Sequence, residues 1–416
     1  MSQQTRQPNH SLFQIAVFVA ALGYFVDIYD LLLFTIVREP SLKGVGVTDP
    51  EMMMASTSII NWQMFGLLLG GILWGVMGDK KGRLSVLFGS IILYSIGNFL
   101  NGYVQTVGQY AAARFVAGIG LAGELGAGIT LGGELLHKKN RGIGTSLVAG
   151  FGLFGAVFAY GIYKLVGDWR VSYWIGAGLG VILLILRVSV AESGMFHAAK
   201  HSGVMRGNFL KFFTNPVRFR KYMLAILIGL PTWFIIGILV NLSNRFAKEM
   251  YTGSAIDSGR AIMFAYAGIA TGGIVIGLVS QWYKSRKKAV FLFYTIALSG
   301  GILYFSPLNN SDLTMYLCCT LMGFGAGFWA MFVTMGAEQF GTNIRATAAT
   351  TIPNMVRGAL PLINMLFLDL FQKSWGWKLV NSGIVTGVIV VSIAYLSLWF
   401  TEETFHKDLD YFETLP

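Results

Sequence analysis

Residues 75–87 read GVMGDKKGRLSVL and break the pattern of the long apolar runs on either side. Asp79, Lys80, Lys81 and Arg83 crowd around glycines in a mostly basic turn holding a single acid. Such a turn between two hydrophobic runs is a loop at a membrane surface if its neighbours are membrane spans. The composition requires that they are. Of 416 residues, 54% are hydrophobic and only 12% charged, with 52 glycines; a soluble domain carries about 25% charged residues. One water-soluble core would have nowhere to put so much apolar surface, so the chain reads as an all-α integral membrane protein. The net charge of +11 is then expected in basic cytoplasmic loops rather than on a nucleic-acid-binding face.

Outward from the turn, twelve apolar stretches are long enough to span a bilayer. They lie near 12–37, 56–78, 84–104, 108–136, 142–166, 171–190, 222–244, 258–281, 289–306, 313–338, 347–372 and 377–400. An even count puts both termini on one side. With that side cytoplasmic, its tails and loops hold nineteen Lys and Arg and the opposite loops nine; Arg114, Arg187 and Arg357 fall within spans. The longest cytoplasmic segment, 191–221, is basic and divides the chain into an N-terminal six-helix bundle, 1–190, and a C-terminal one, 222–416. Cys318 and Cys319 are adjacent, so neither a structural disulfide nor a metal site is expected. The polar N-terminus leads into a long span with no cleavage site, so no removed signal peptide is expected.

The halves repeat each other. GGILWGVMGD from Gly70 matches GGIVIGLVSQ from Gly272, and TLGGELLHKKNR (130–141) matches TMGAEQFGTNIR (334–345). Thr, Gly, Glu and Arg keep identical spacing 204 residues apart. Two pseudo-symmetric six-helix bundles with substrate held between them are a common layout of secondary transporters.

Gly75-x-x-x-Asp79-Lys80-x-Gly82-Arg83 resembles the signature loop between helices 2 and 3 of the major facilitator superfamily. The resemblance covers nearly the whole chain. ARFVAGIGLAGELGAG (113–128) is similar to the superfamily's fourth helix, with Arg114, Gly118, Gly120 and Glu124; RVSVAESG (187–194) resembles the end of its sixth, and EETFHKDLD (402–410) its C-terminal tail motif. GYFVDIYDLLLF (23–34) resembles the first helix of the phosphate and metabolite proton-symporter branches, and Glu124 stands where those carry an acid after Gly-Gly, although Ala122 replaces the first glycine. GFGLFGAVFAYGIY (150–163) lacks the Gly-Pro pair of the proton-drug antiporters. The resemblance implies that Asp79 holds the two halves together on the inside, as a latch of the outward-open state.

Charge inside the bilayer points to the same places. An ionisable group at mid-membrane costs about 2.5–3.5 kcal/mol on insertion scales and normally faces the bundle interior. Asp27 and Asp30 share a helix face and, with Glu124 near the middle of its helix, form the expected proton-binding set; for Asp30 a plain hydrogen bond to a neighbouring helix is the competing reading. Arg114 either snorkels or pairs with an acid of the first helix, and Arg187 is expected to snorkel to the cytoplasmic surface. Arg357 is about 15 Å along its helix, with no acid within a turn of it. It requires a partner: a carboxylate or phosphate of a substrate, or a salt bridge to another helix. The resemblance to the organic-anion branch, which carries an arginine on helix 11, favours the substrate. Gln63 and Asn354 are the amides expected to face the cavity; Tyr24, Trp62, Trp233, Asn241, Tyr266 and Trp329 are further candidates, each with packing as the alternative. At the cytoplasmic end, Gly75, Asp79, Arg83, Glu134 and Arg141 form the expected gate, with Glu338 and Arg345 as repeat counterparts and Gln281 in place of the second acid.

These readings predict a proton-coupled symporter importing a small organic anion or related metabolite across a bacterial inner membrane, with both termini cytoplasmic. It is expected to be a monomer that uses no cofactor, metal or nucleic acid. No nucleotide loop or nucleophile–base motif suggests an enzyme. A proton-coupled exporter or antiporter, or a transporter-like ligand sensor, are the alternatives.

Overall fold

The computed structural model describes residues 15–48, 51–128, 138–188, 206–251, 256–408 and 411–413. Those residues are helical throughout their ordered elements. In chain order the α-helices are α1 (Ile15–Ile36), α2 (Arg38–Gly44), α3 (Met52–Lys81), α4 (Arg83–Asn101), α5 (Val107–Leu121), α6 (Lys138–Leu153), α7 (Gly155–Val166), α8 (Trp169–Arg187), α9 (Pro216–Phe234), α10 (Ser243–Met250), α11 (Ser258–Tyr283), α12 (Arg286–Tyr304), α13 (Asp312–Ala326), α14 (Phe328–Glu338), α15 (Arg345–Gly358), α16 (Leu360–Asn364) and α17 (Leu379–Phe400).

Ten helical stretches among the described residues are long and apolar enough to cross a membrane. Two of the twelve expected spans are not among them, for identifiable reasons. The first is described only as far as residue 128 and is interrupted after Leu121. The second, α12, opens on Arg286, Lys287 and Lys288. The outward faces are apolar: Leu165, Ile185 and Trp399 are all exposed, which suits lipid and not water. Helix starts carry side-chain caps. Asp168 accepts from Arg170 N at 2.7 Å, Asn215 from Val217 N at 2.9 Å ahead of Pro216, and Asp257 from Gly259 N at 2.8 Å.

Two seams join helices from the first and second parts of the chain. At one, α3 lies so close to α15 that a Cβ on Gly71 would meet Asn354, one on Gly75 the Thr347 backbone, and one on Gly78 the Ala346 methyl. These three glycines share one face of α3. At the other seam, Gly150 of α6 abuts Ala270 and Ile274 of α11. Two helices lose α-geometry toward the end away from the basic turns: α9 runs on as a π-helix over Ile235–Val240, and α16 as another over Met365–Ser374. Wide π turns are frequent at functional sites.

Candidate functional site

The polar centre is built on α1. Tyr24 and Asp27 lie three residues apart on one face, and Asp30 follows one turn on; all are buried. Among the described residues neither carboxylate oxygen of Asp27 meets a hydrogen-bond donor; Asp30 lies beside the Asn98 amide, and the Tyr24 hydroxyl beside Trp329 and Arg357. Opposite stands Arg357 of α15, 1% exposed, with its guanidinium carbon 5.9 Å from the Trp329 ring centre and Nη1 donating to Asn354 Oδ1 at 3.0 Å. Its Nε donates to nothing, and no described carboxylate lies within 4 Å. Asp369, the only acid on the outer continuation of that helix, is taken by Lys373 at 2.6 Å. Asp27 is within electrostatic reach of Arg357, Glu124, Asp30 and Arg187, and Tyr266 of Tyr24 and Arg357. Trp62 stays outside this cluster, 49% exposed and stacked edge-on against Phe115.

Glu124 has a partner that sequence reasoning missed. Arg187 does not snorkel. It is 1% exposed and forms a two-pronged ion pair with Glu124, with Nη1 also reaching Leu87 O at 3.3 Å. Glycine makes this possible, because any Cβ on Gly23 of α1 would run into both charged groups. A signal was present in two glycines that face charge, Gly23 on α1 and Gly176 on α8, the second leaving room for the Asp30 carboxylate.

Arg114 is fully buried and does not reach the surface. Its donors go to neutral acceptors: Gln63 Oε1 at 3.2 Å, Asn98 Oδ1 at 3.3 Å and the Asp30 carbonyl at 2.9 Å, with the Tyr173 ring at 5.7 Å. Gln63 completes the tie by donating to Leu31 O at 3.0 Å. Asn354, expected to face the cavity, is buried between α15 and α5. α5 breaks at Ala122–Gly123 before resuming at Glu124, which frees backbone carbonyls inside the bilayer. Asn354 Nδ2 donates to Ala122 O at 2.9 Å and Trp74 Nε1 to Ile119 O at 2.6 Å, as buried backbone in a membrane requires. The same amide thus repairs α5 and orients Arg357. On the side of the π-helical segments, a cavity of about 120 Å³ opens between α1, α3, α9 and α16, lined by Gln63, Arg38, Asn241, Arg245, Trp233 and Asn364 among others.

At the basic end the α3–α4 turn meets the start of α15. Asp79 accepts from Ala346 N at 3.1 Å, Thr347 N at 2.8 Å and the Thr347 hydroxyl at 2.7 Å. A carboxylate there sits on the positive end of the helix dipole. Thr347 also donates to Gly75 O at 3.1 Å, and Arg83 lies 3.6 Å from Asp79 while donating to Gly78 O at 3.0 Å. Gly82 between α3 and α4 has φ of 104°, open only to glycine without strain. Arg206 and Gly207, the described start of the rest of segment 191–221, join the cluster at Asp79 O (3.4 Å) and Asn343 O (3.0 Å). Glu134 and the Arg141 side chain lie outside the described residues. Glu338 is buried and pairs with Arg286 at 3.2 Å; the Thr404 hydroxyl donates to it at 2.7 Å. Arg345 donates from Nε to Phe340 O at 3.3 Å. Arg286 went unrecognised because one extra residue, in the left-handed Lys284 turn (φ 49°), shifts the second copy of the motif out of register.

The family model of the Major Facilitator Superfamily matches residues 14–364. This chain belongs to the major facilitator superfamily. It is an integral membrane transporter and not an enzyme. The sialic acid transporter NanX of Escherichia coli is 25% identical over 347 residues, covering 82% of this chain and 83% of NanX. The inner membrane metabolite transport protein YhjE of Escherichia coli is 26% identical over 376 residues, 82% of each chain. Among solved structures, the proton:xylose symporter XylE superposes with a TM-score of 0.74 at 16% identity, over 97% of this chain and 98% of that one. At that identity the likeness speaks for the fold.

Proposed function

We propose that this transporter couples inward proton flow to import of a small organic anion across a bacterial inner membrane. Two six-helix bundles, 1–190 and 222–416, joined by the basic segment 191–221, rock about the α3–α15 and α6–α11 seams, with both termini and the basic turns cytoplasmic. The observation that carries this reading is Arg357: a buried guanidinium with no described carboxylate within 4 Å and an undonated Nε. A buried charge of this kind calls for an opposite charge, and a carboxylate of the substrate supplies it through the planar two-point fork.

Asp27 supplies the coupling. As a carboxylate it competes with an incoming anion for the field of Arg357; with a proton bound it does not. Proton and anion therefore bind together, and linkage makes each raise the affinity for the other. Support also comes from relatives: one is named for sialic acid, an acid, one for the inner membrane, and the structural neighbour XylE for proton symport. The latch of Asp79 on α15 closes the cytoplasmic end while the cavity at the opposite end admits substrate.

The test is a thermal-shift screen of the purified protein against metabolites, each acid paired with its neutral amide. Acids should stabilise the parent, more strongly as pH falls, and their amides should not. Arg357→Gln should weaken acid binding by about 2–5 kcal/mol, and Arg357→Lys should retain part of it. A folded Arg357→Gln protein that binds its acid as tightly as the parent removes Arg357 from the site.

A further inference from the structure

At the basic end of α12 and α17 lies an outward-facing groove of about 760 Å³, away from the polar centre on α1. Its walls are apolar: Phe291, Leu292, Leu396 and Leu398, with Phe291 and Leu396 more than half exposed. Its rim is not. Lys287 and Lys288 stand side by side there, with Tyr283 and the largely exposed Trp399 beside them. Trp282, also largely exposed, stacks on Tyr283. Exposed Trp and Tyr at the end of a span mark the headgroup level.

The neighbouring charges are already committed. Arg286 is paired with Glu338. Glu403 spends its carboxylate on Ser285 and on the N–H groups of Arg286 and Lys287 at the start of α12. Among the described residues the Lys287 ammonium donates to Trp399 O alone, at 3.0 Å. Among the described residues neither lysine has an acidic side chain within 4 Å. Two uncompensated cations therefore overhang an apolar groove that must be filled by lipid.

We propose that this groove is a binding site for an anionic phospholipid, its phosphate held between Lys287 and Lys288 and its upper acyl chain laid along Phe291, Leu292 and Leu396. Charge complementarity selects the headgroup, because a zwitterionic lipid brings its own cation to the same place. The inference stands on the membrane embedding alone and is independent of which substrate the transporter carries.

The full-length protein, stripped of native lipid in detergent, is titrated with phosphatidylglycerol, with phosphatidylcholine of the same acyl chains, and with inorganic phosphate. Phosphatidylglycerol should raise the melting temperature and survive into native mass spectrometry as a bound adduct, well beyond phosphatidylcholine. Inorganic phosphate should do nothing. K287Q/K288Q should reduce the preference for phosphatidylglycerol by about tenfold or more, the electrostatic share of two basic groups at an anionic surface, while K287R/K288R keeps it. If the glutamine pair folds poorly, K288Q alone carries the test and should show a partial loss. Equal retention of both lipids by the parent, an unchanged preference in K287Q/K288Q, or the same stabilisation from inorganic phosphate would each overturn the proposal.

Discussion

Asp27 and Glu124 are both buried acids in the N-terminal part of the chain, and the structure treats them in opposite ways. Glu124 is gripped by Arg187 from α8 through both guanidinium nitrogens. Asp27 receives no hydrogen bond, although Arg357 is within electrostatic reach. A buried ion pair is finished business: its charges satisfy each other and resist change. An unpaired buried carboxylate costs several kcal/mol unless neutralised, and a bound proton neutralises it. Position in a span does not tell these two acids apart; what lies across the helix interface does.

The contrast is broken most directly at Asp27. Asp27→Asn should abolish uphill, proton-driven uptake in proteoliposomes while substrate exchange across equal pH persists. Uptake that still follows an imposed proton gradient would place the coupling group elsewhere. Glu124→Gln should act instead on the fold. Removing one partner of a buried pair typically costs about 3–5 kcal/mol, so the ligand-free melting temperature should drop sharply. Glu124→Gln combined with Arg187→Met should recover much of that loss. A Glu124→Gln protein of normal melting temperature but lost coupling would exchange the roles assigned to the two acids.

Smaller effects come from acids at the end that carries the basic turns. Asp79→Asn removes the charge from the start of α15 and should shift the population toward the inward-open state by about 1–2 kcal/mol. Spin-label distances between α3 and α15 at that end report it; unchanged distributions, with both states populated in the parent, would reduce the motif to a topology signal. Glu403 lies at the far end of the scale. Burial pushes its carboxyl up, but hydrogen bonds from Ser285 and from the N–H groups of Arg286, Phe405 and Lys287 outweigh this and hold it below the ordinary 4.5. Its contribution is therefore present at neutral pH and is lost as pH falls below that range. Glu403→Gln should lower stability by about 0.5–1 kcal/mol at neutral pH and flatten the melting-temperature profile in acid.

Much of this arrangement was legible in the residues. The GVMGDKKGR turn resembled a family loop whose acid holds the inner end together, and in the structure Asp79 meets the first N–H groups of α15. The depth of Arg357 and the lack of an acid on its own helix turns followed from counting. Arg187 did not: its partner is 63 residues away, and a basic residue near a helix end looks the same whether it snorkels or turns inward. Only the bare face of Gly23 decides that, and its neighbour across the interface is invisible to periodicity. Arg286 was hidden by a single inserted residue. The break in α5 was marked by Ala122–Gly123, but the residues that repair it, Asn354 and Trp74, come from other helices.

The glycine face of α3 has a mechanical consequence. Gly71, Gly75 and Gly78 present bare backbone to α15, so Asn354, Thr347 and Ala346 of that helix pack directly onto it. In the proposed transport cycle, a surface of α3 without side chains would let α15 tilt against it once the hydrogen bonds of Thr347 and Asp79 release. A bulky residue at Gly75 should act as a wedge between α3 and α15, prising them apart against the hold of Asp79 and, in the proposed orientation, stalling the carrier with its outer mouth shut.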